Sequence, residues 1–148
     1  PVRIIDRNRA RTDLVADATG AQSTSLEALA DHAYRDAIDT TGNAHVIRSL
    51  LSTIAGASRL GLVGIGSAAE IIDPVQLVER EISLVGYHAF GKELVTIGGM
   101  LPDLAPHLDP FIAAMIPLAD VPATYDRLLS EDTAGLKTLI QIEDPHGH

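Results

Sequence analysis

The chain has 148 residues, of which 46% are hydrophobic and 21% are charged, and its formal net charge at pH 7 is −9. This acidity argues against binding to nucleic acid or to an anionic membrane surface, because both require a basic face on the protein. The chain contains no cysteine, which excludes disulfide bonds and thiolate metal ligands within it. No apolar run approaches the ~20 residues that span a bilayer, and no secretory signal opens the sequence, so we expect a soluble cytoplasmic domain.

Apolar spacing and turn residues predict an alternation of strands and helices along the chain. In the first half, strands are predicted at 2–5, 37–38 and 59–65, helices at 8–18, 26–33 and 44–55, and a short edge strand at 21–25. In the second half, helices are predicted at 74–80, 92–100 and about 120–129, and strands at 82–85 and 138–142. Gly20 and Gly56 are expected to end helices, and Pro102, Pro106 and Pro110 are expected to prevent one continuous helix in their region.

This alternation predicts right-handed βαβ units on a mostly parallel sheet, and therefore the α/β fold class. The predicted strand at 59–65 is apolar almost throughout, which is typical of a strand buried on both faces of a parallel sheet. Ligands of such sheets bind beyond the carboxyl ends of the strands. The candidate site residues are therefore those that follow each strand.

Four predicted strands end in residues that suit a ligand site: Asp6, Asp39-Thr40-Thr41-Gly42, Gly64-Ile65-Gly66-Ser67 and Gly86-Tyr87-His88. Glycine lets backbone N–H groups approach a ligand closely, and Asp6 could accept the hydroxyl protons of a ribose while repelling a 2′-phosphate. Each residue also has a plainer interpretation. Asp6 or Asn8 could cap the first helix, Thr40 and Thr41 could cap the third, and the glycines could serve only the turns.

Six segments of the sequence, taken in order and with their spacing, resemble one known family. They read Val-Arg-Ile-Ile-Asp-Arg-Asn-Arg-Ala-Arg at 2–11, Asp-Ala-Ile-Asp-Thr-Thr-Gly at 36–42, Arg-Leu-Gly-Leu-Val-Gly-Ile-Gly at 59–66, Glu-Ile-Ser-Leu-Val-Gly at 81–86, Ile-Pro-Leu-Ala-Asp-Val-Pro-Ala-Thr-Tyr at 116–125 and Leu-Lys-Thr-Leu-Ile-Gln-Ile at 136–142. From Val2 to Ile142 the chain resembles the coenzyme-binding and C-terminal part of the zinc-type alcohol, polyol and threonine dehydrogenases, in the medium-chain dehydrogenase/reductase family. Polyol dehydrogenases are the most similar, through segments 59–66 and 81–90.

The resemblance implies a Rossmann-type doubly wound parallel sheet with NAD as the cofactor. Asp6 would hold the adenosine ribose hydroxyls, which favours NAD over NADP, and Arg11 would flank the adenosine. Arg7 and Arg9 are nearby cations that could tolerate a 2′-phosphate, so NADP is the less favoured cofactor rather than an excluded one.

The resemblance places the nicotinamide half of the cofactor at the later strand ends. Thr41 would line the cofactor, and Gly64, Ile65 and Gly66 would meet the nicotinamide ribose. The backbone of Tyr87 and His88 would pass near the carboxamide. No residue of the chain is expected to be catalytic.

The resemblance also implies how the chain is organised. Residues 1–110 would form a partial NAD-binding domain, and 111–148 a C-terminal segment that returns to the catalytic domain. The sheet would be incomplete at the N-terminus, because the family's central first strand and its glycine-rich pyrophosphate turn have no counterpart. The zinc ligands and the proton relay would lie further upstream. We therefore expect a fragment of a longer enzyme, inactive alone and without a metal site of its own.

Three functions are open on this sequence. The favoured one is hydride transfer between a secondary alcohol or polyol and the nicotinamide of an NAD-dependent, zinc-type dehydrogenase. A second is a non-catalytic assembly module, because the strand at 82–87 corresponds to an edge strand that pairs with its twin across a dimer axis. A Rossmann-type methyltransferase is a third, and the segments between 116 and 142 argue against it.

Overall fold

The computed structural model describes residues 1–31, 34–66, 72–88, 91, 93–130 and 135–142. Its strands are β1 (Arg3–Ile4), β2 (Gln22–Ser23), β3 (Asp36–Asp39), β4 (Arg59–Leu62), β5 (Ser83–Gly86), β6 (Ile112–Pro117) and β7 (Lys137–Gln141). Its α-helices are α1 (Arg9–Thr19), α2 (Ala44–Thr53), α3 (Pro74–Glu79), α4 (Glu93–Leu108) and α5 (Val121–Ser130), with short 3-10 helices at Glu27–Asp31, Asp109–Phe111 and Leu118–Asp120. Every described strand pair is parallel, which confirms the predicted α/β class.

Contacts divide the chain into two compact units. We call Ser25–Thr96 the central unit, and Pro1–Thr24 with Ile97–His148 the terminal unit. The predicted division after residue 110 refers to the domains of a longer enzyme, and it stays a prediction.

The central unit contains a three-stranded parallel sheet in the order β3-β4-β5. One face of this sheet packs against α2, whose apolar residues recur at the predicted helical spacing. The buried core consists of Leu51, Ile54, Leu60 and Ile82, each at most 7% exposed. Burial of each such side chain stabilises the fold by about 1.5–3 kcal/mol, so this packing fixes the strands whose ends form the candidate site.

Arg80, which follows α3, closes the C-terminal end of α2. Its guanidinium donates hydrogen bonds to the carbonyl groups of Leu51 (2.6 Å) and Ile54. These are among the carbonyl groups that a helix end leaves without a helical donor. The helix ends at Thr53 with an extended Ile54 as its C-cap, and the prediction that Gly56 ends it is wrong.

In the terminal unit, β1 pairs with β2, and β6 with β7. Asn8 caps α1 by accepting an N–H of the first turn (3.0 Å), and Gly20 ends it in the left-handed conformation with φ of 73°, as predicted. The Ser23 hydroxyl donates to Thr12 Oγ1 (2.7 Å), and the Thr12 hydroxyl donates to the Arg9 carbonyl (2.9 Å). This run of hydroxyl groups ties β2 to α1.

The helix predicted at 92–100 does not end before the prolines and extends through two of the three. Helix α4 runs from Glu93 to Leu108 through Pro102 and Pro106. Each proline removes one helical hydrogen bond, which leaves the carbonyl groups of Gly98 and Pro102 without a helical donor. Gly98 and both prolines are exposed, so water can bond to these carbonyl groups and the helix continues. Pro110 does lie beyond its end, in a 3-10 helix.

Three other elements differ from prediction. Strand β6 was not predicted at all. Strand β4 ends at Leu62: the N–H of Val63 still bonds to β3 in the ladder pattern, but the N–H of Gly64 bonds to the same carbonyl of Asp39 instead of continuing along the strand. The predicted helix at 26–33 is a 3-10 helix at Glu27–Asp31, and positions 32 and 33 lie outside the described residues. Within the described ranges, no helix is long and apolar enough to cross a membrane.

Candidate functional site

The loops after β3 and β4 contain the most closely connected of the predicted site residues. Asp39, the last residue of β3, is 2% exposed. Its Oδ1 accepts the backbone N–H (3.2 Å) and the hydroxyl (2.6 Å) of Thr41, and its Oδ2 accepts the N–H of Gly42 (2.8 Å). The carboxylate therefore holds loop 40–42 folded back onto the end of its own strand.

The main chain of Asp39 bonds to the neighbouring strand. Its carbonyl accepts the N–H groups of Val63 (2.8 Å) and Gly64 (3.1 Å), the first two residues after β4. One residue thus holds both loops: 40–42 through its carboxylate, and the start of 63–66 through its carbonyl.

Three glycines bring these two loops into backbone contact. Gly42 has a φ of 64°, in the left-handed region that favours glycine. A methyl group on Gly42 would overlap the backbone of residues 64–66, one on Gly64 would overlap residues 40–42, and one on Gly66 would overlap the carbonyl of Gly42. Ile65, between them, is 94% exposed. Because these glycines have no side chains, the two loops can touch each other. Their contact with a cofactor stays a prediction.

Thr41 is bonded on both sides within its turn. Its hydroxyl donates to Asp39 and accepts the N–H of Asn43 (3.0 Å). The N-cap of α2 is Asn43, whose side chain accepts two N–H groups of the first turn at 2.9 and 3.4 Å. The plainer interpretation of Thr40 and Thr41 as the caps of this helix is therefore wrong.

Tyr87 and His88 follow β5, at the same carboxyl end of the sheet as the two loops. The N–H of Tyr87 donates to the carbonyl of Leu62 (2.8 Å), which extends the pairing of β5 with β4. The Tyr87 ring lies over Gly61, and since Gly61 alternates with the core-facing residues of β4, this is the face opposite to α2. Tyr87 is 48% exposed, and His88 is exposed as well.

In the terminal unit, the predicted ribose ligand Asp6 follows β1. Its Oδ1 accepts the N–H of Asn8 (2.8 Å) and lies 3.9 Å from a guanidinium nitrogen of Arg11. The side chain of Asp6 is 37% exposed and that of Arg11 24%. Because Asn8 caps α1, Asp6 is not the cap. The structure brings Asp6 and Arg11 together as an accessible ion pair shortly after β1.

Sequence reasoning named Asp39 only among the residues at a strand end and gave it no specific role, although this residue connects the two loops. A signal was present in the sequence. An aspartate followed by Thr and Gly two and three positions later is a turn pattern, in which the carboxylate accepts the N–H groups of those residues. The burial of Asp39 and its bonds to Val63 and Gly64 depend on a neighbouring strand, so they cannot be predicted from the residues beside it in the sequence.

The described side chains do not fit a zinc ion. In the parts of the chain that the structure describes, no three His, Asp or Glu side chains lie together so that they could hold a metal, and the sequence has no cysteine. A zinc-dependent step therefore cannot be assigned to these residues. A cavity of about 340 Å³ lies between α2 and the start of α3, lined among others by Arg48, Ser52 and Asp73, and it contains none of the predicted site residues.

Parallel strands with an acidic residue and glycine-bearing loops at their carboxyl ends define a Rossmann-type α/β protein. Comparison with solved structures confirms this fold. The chain is similar to 2R,3R-butanediol dehydrogenase from Bacillus subtilis, with a TM-score of 0.80 and 16% sequence identity, over 95% of this chain and 43% of that one. It is also similar to a cobalt- and zinc-bound thermostable alcohol dehydrogenase from Pyrobaculum aerophilum, with a TM-score of 0.78 and 23% identity, over 95% and 42%.

A third similar structure is a short chain alcohol dehydrogenase from Escherichia coli CFT073 in complex with the cofactor NADH. Its TM-score is 0.83 and its sequence identity 15%, over 95% of this chain and 44% of that one. This chain therefore spans less than half the length of the solved structures it matches. At such identities the likeness establishes the fold, and the expected resemblance to alcohol and polyol dehydrogenases is confirmed at that level. Comparison with protein-family models and with curated proteins found no match.

Proposed function

We propose that the chain forms part of the NAD-binding half of an alcohol or polyol dehydrogenase, which transfers hydride between a secondary alcohol and nicotinamide. The observation that carries this proposal is the linked pair of loops after β3 and β4. It lies at the carboxyl ends of parallel strands, where such sheets bind ligands, and the fold is similar to that of a dehydrogenase solved with NADH. When bound, NAD supplies the nicotinamide ring that accepts or donates hydride.

Asp6 suits the adenosine ribose of the cofactor. Its carboxylate lies two residues after the end of β1 and is accessible, so it can accept the protons of two ribose hydroxyl groups. A 2′-phosphate would bring negative charge to the same carboxylate, which favours NAD over NADP. Arg11, which already lies beside Asp6, would flank the adenosine.

The loops of the central unit suit the nicotinamide side of the cofactor. Thr41 would line the cofactor, and Gly64, Ile65 and Gly66 would meet the nicotinamide ribose. The backbone after β5, at Tyr87 and His88, would meet the carboxamide. Asp39 holds loop 40–42 and the start of loop 63–66 through hydrogen bonds that need no ligand. Little ordering would then accompany binding, and this lowers its entropic cost.

The rest of the proposed enzyme, including a zinc site and a proton relay, would be supplied by residues other than those described. On this proposal the 148 residues alone turn over no alcohol. The net charge of −9 argues against a nucleic-acid partner and against a membrane partner. We propose that the protein is cytoplasmic.

A second proposal is self-association through β5. This strand is one of the two outer strands of its described sheet, and an open strand edge is covered by pairing with another strand in many proteins. Pairing with a second copy of β5 would give a homodimer. If this were the chain's only activity, it would be an assembly module.

Saturation-transfer NMR on the 148-residue chain tests the cofactor proposal, because the method detects weak binding. We expect transfer to the ring protons of NADH, weaker transfer to NADPH and none to S-adenosylmethionine. Asp6→Asn should weaken the NADH signal, while Asp13→Asn, in an exposed pair with Arg9, should leave it unchanged. Preference for S-adenosylmethionine would favour a methyltransferase, and a dimer that binds no nucleotide would favour the assembly module; either result contradicts the proposal.

A further inference from the structure

Asp39 holds more of the candidate site than any residue that was expected to touch the cofactor. Its carboxylate accepts three hydrogen bonds from the loop after its own strand, and its carbonyl accepts two from the loop after the neighbouring strand. At 2% exposure it does not reach solvent. Its effect on any ligand must therefore pass through the loops that it holds.

The pattern of donors requires a carboxylate. Both oxygens of Asp39 face donors: Oδ1 receives two from Thr41, and Oδ2 receives the N–H of Gly42. An amide has one acceptor oxygen and one donor nitrogen. In Asp39→Asn the nitrogen would face an N–H or O–H in either orientation, and one partly buried donor would lose its partner.

The two loops are packed too closely to adjust to such a change. Gly42 and Gly64 are in backbone contact, with no room for a methyl group on either residue. A shift of Gly42 therefore requires a shift of residues 64–66. The start of that segment is fixed by the carbonyl of Asp39 itself, so the two loops move together or stay together.

The geometry points to Asp39 as a positioning residue that sets the shape of the nicotinamide-ribose surface, by locking loop 40–42 against loop 63–66. This inference rests on the proposed function for the identity of the ligand. It adds a residue that touches no ligand and controls affinity through Thr41, Gly42 and Gly64.

Ser58 provides a matched control for a purely structural role. It is also a buried polar residue of the central unit, 4% exposed, and its hydroxyl bonds to the carbonyl of Tyr34 (3.2 Å). It lies just before β4, at the opposite end of the strand from the loops. Ser58→Ala removes a buried hydrogen bond without touching the candidate site.

The test compares Asp39→Asn with Ser58→Ala in the 148-residue chain, using NADH affinity and amide hydrogen exchange. For Asp39→Asn we expect NADH affinity to fall about tenfold, which corresponds to ~1.4 kcal/mol, and the amides of Gly42 and Gly64 to exchange faster. For Ser58→Ala we expect unchanged affinity and unchanged exchange at both glycines. Unchanged NADH affinity in Asp39→Asn, or an equal loss in the two variants, overturns the inference.

Two further readouts keep the test decisive. If Asp39→Asn does not fold, Thr41→Val, which removes one donor to Asp39 from an exposed position, should speed amide hydrogen exchange at Gly64 as well as at Gly42. A direct contact of Thr41 with the cofactor would not cause that change, and unchanged exchange at Gly64 overturns the inference. If the unchanged chain binds no NADH, the proposed function fails separately. In that case amide hydrogen exchange at Gly64 in Asp39→Asn tests the coupling of the two loops. Faster exchange supports the coupling, and unchanged exchange overturns it.

Discussion

The ring of Tyr87 lies against Gly61, so that a methyl group on this glycine would come within 2.9 Å of Tyr87 Cε2. The ring is the far end of a flexible side chain and can move aside. Gly64, a few residues further along, faces the backbone of loop 40–42 instead, and that backbone is held by Asp39. The two glycines therefore differ in what a side chain would displace.

This difference predicts losses of different size for two alanine substitutions. Gly61→Ala should change the free energy of unfolding by less than about 1 kcal/mol, because only the Tyr87 ring must move. Gly64→Ala should lower it by about 1–3 kcal/mol or more, because overpacking against a fixed backbone forces the main chain to shift. Urea denaturation followed by circular dichroism measures both, and equal losses would contradict the assignment of a rigid contact to Gly64.

A second prediction concerns the arginine that closes α2. Arg80→Met keeps the length of the side chain but removes its hydrogen bonds to the carbonyl groups of Leu51 and Ile54. Hydrogen bonds from a charged donor contribute about 1.5–3 kcal/mol to stability. We expect the free energy of unfolding to fall by an amount near the lower end of that range, because Arg80 is only partly buried.

Arg59→Met is the matched control for Arg80→Met, because it removes the same charge. Arg59 is 62% exposed and pairs with the exposed Asp36 at 3.8 Å, and such a surface pair contributes at most about 1 kcal/mol. Chemical denaturation of both variants checks the comparison. A larger loss for Arg59→Met would show that the cap on α2 is not a main contact of this unit.

Local sequence features were sufficient for the helices that carry an apolar stripe and a cap. Helix α1 begins after Asn8 and ends at Gly20, and α3 begins after Asp73 with Pro74 in its first turn, as predicted. In these cases the capping side chain and the helix are neighbours in the sequence. The end of α2 was predicted wrongly because it is closed by Arg80, which lies far along the chain.

The distinction between contacts of sequence neighbours and contacts of distant residues also explains which parts of the candidate site could be predicted. The strand ends and their polar or glycine residues could be read from the sequence, because they follow apolar runs. The contact of Gly42 with Gly64 and Gly66 could not, because it depends on the register between β3 and β4, in which Asp39 pairs with Leu62. The burial of Asp39 has the same origin, since it requires the loop after β4 to fold over it.

A third prediction concerns the prolines inside α4. Pro102→Ala restores an N–H that can bond to the carbonyl of Gly98, in a helix interior where proline costs up to about 3 kcal/mol relative to alanine. We expect an increase in the free energy of unfolding and in helical circular dichroism. Pro74→Ala is the control, because Pro74 lies in the first turn of α3, where proline is favourable, and it should bring no gain. A loss of helicity in Pro102→Ala would contradict the continuous helix.

The last prediction uses the ion pair of Asp6 and Arg11 to test cofactor preference. Asp6→Ala removes the acceptor for the ribose hydroxyl groups of NADH and the negative charge that repels the 2′-phosphate of NADPH. It also removes the carboxylate beside Arg11, so that this guanidinium can bond to the 2′-phosphate. The ratio of NADH to NADPH affinity should therefore fall by about tenfold or more, which corresponds to ~1.4 kcal/mol. Asp13→Ala, which removes an exposed carboxylate at 3.7 Å from Arg9, raises the net charge by the same amount and should leave the ratio unchanged. Because both variants raise the net charge equally, a shift confined to Asp6→Ala reports a local contact with the ribose and not the general electrostatic field. An unchanged ratio in Asp6→Ala would mean that this carboxylate serves only the turn before α1.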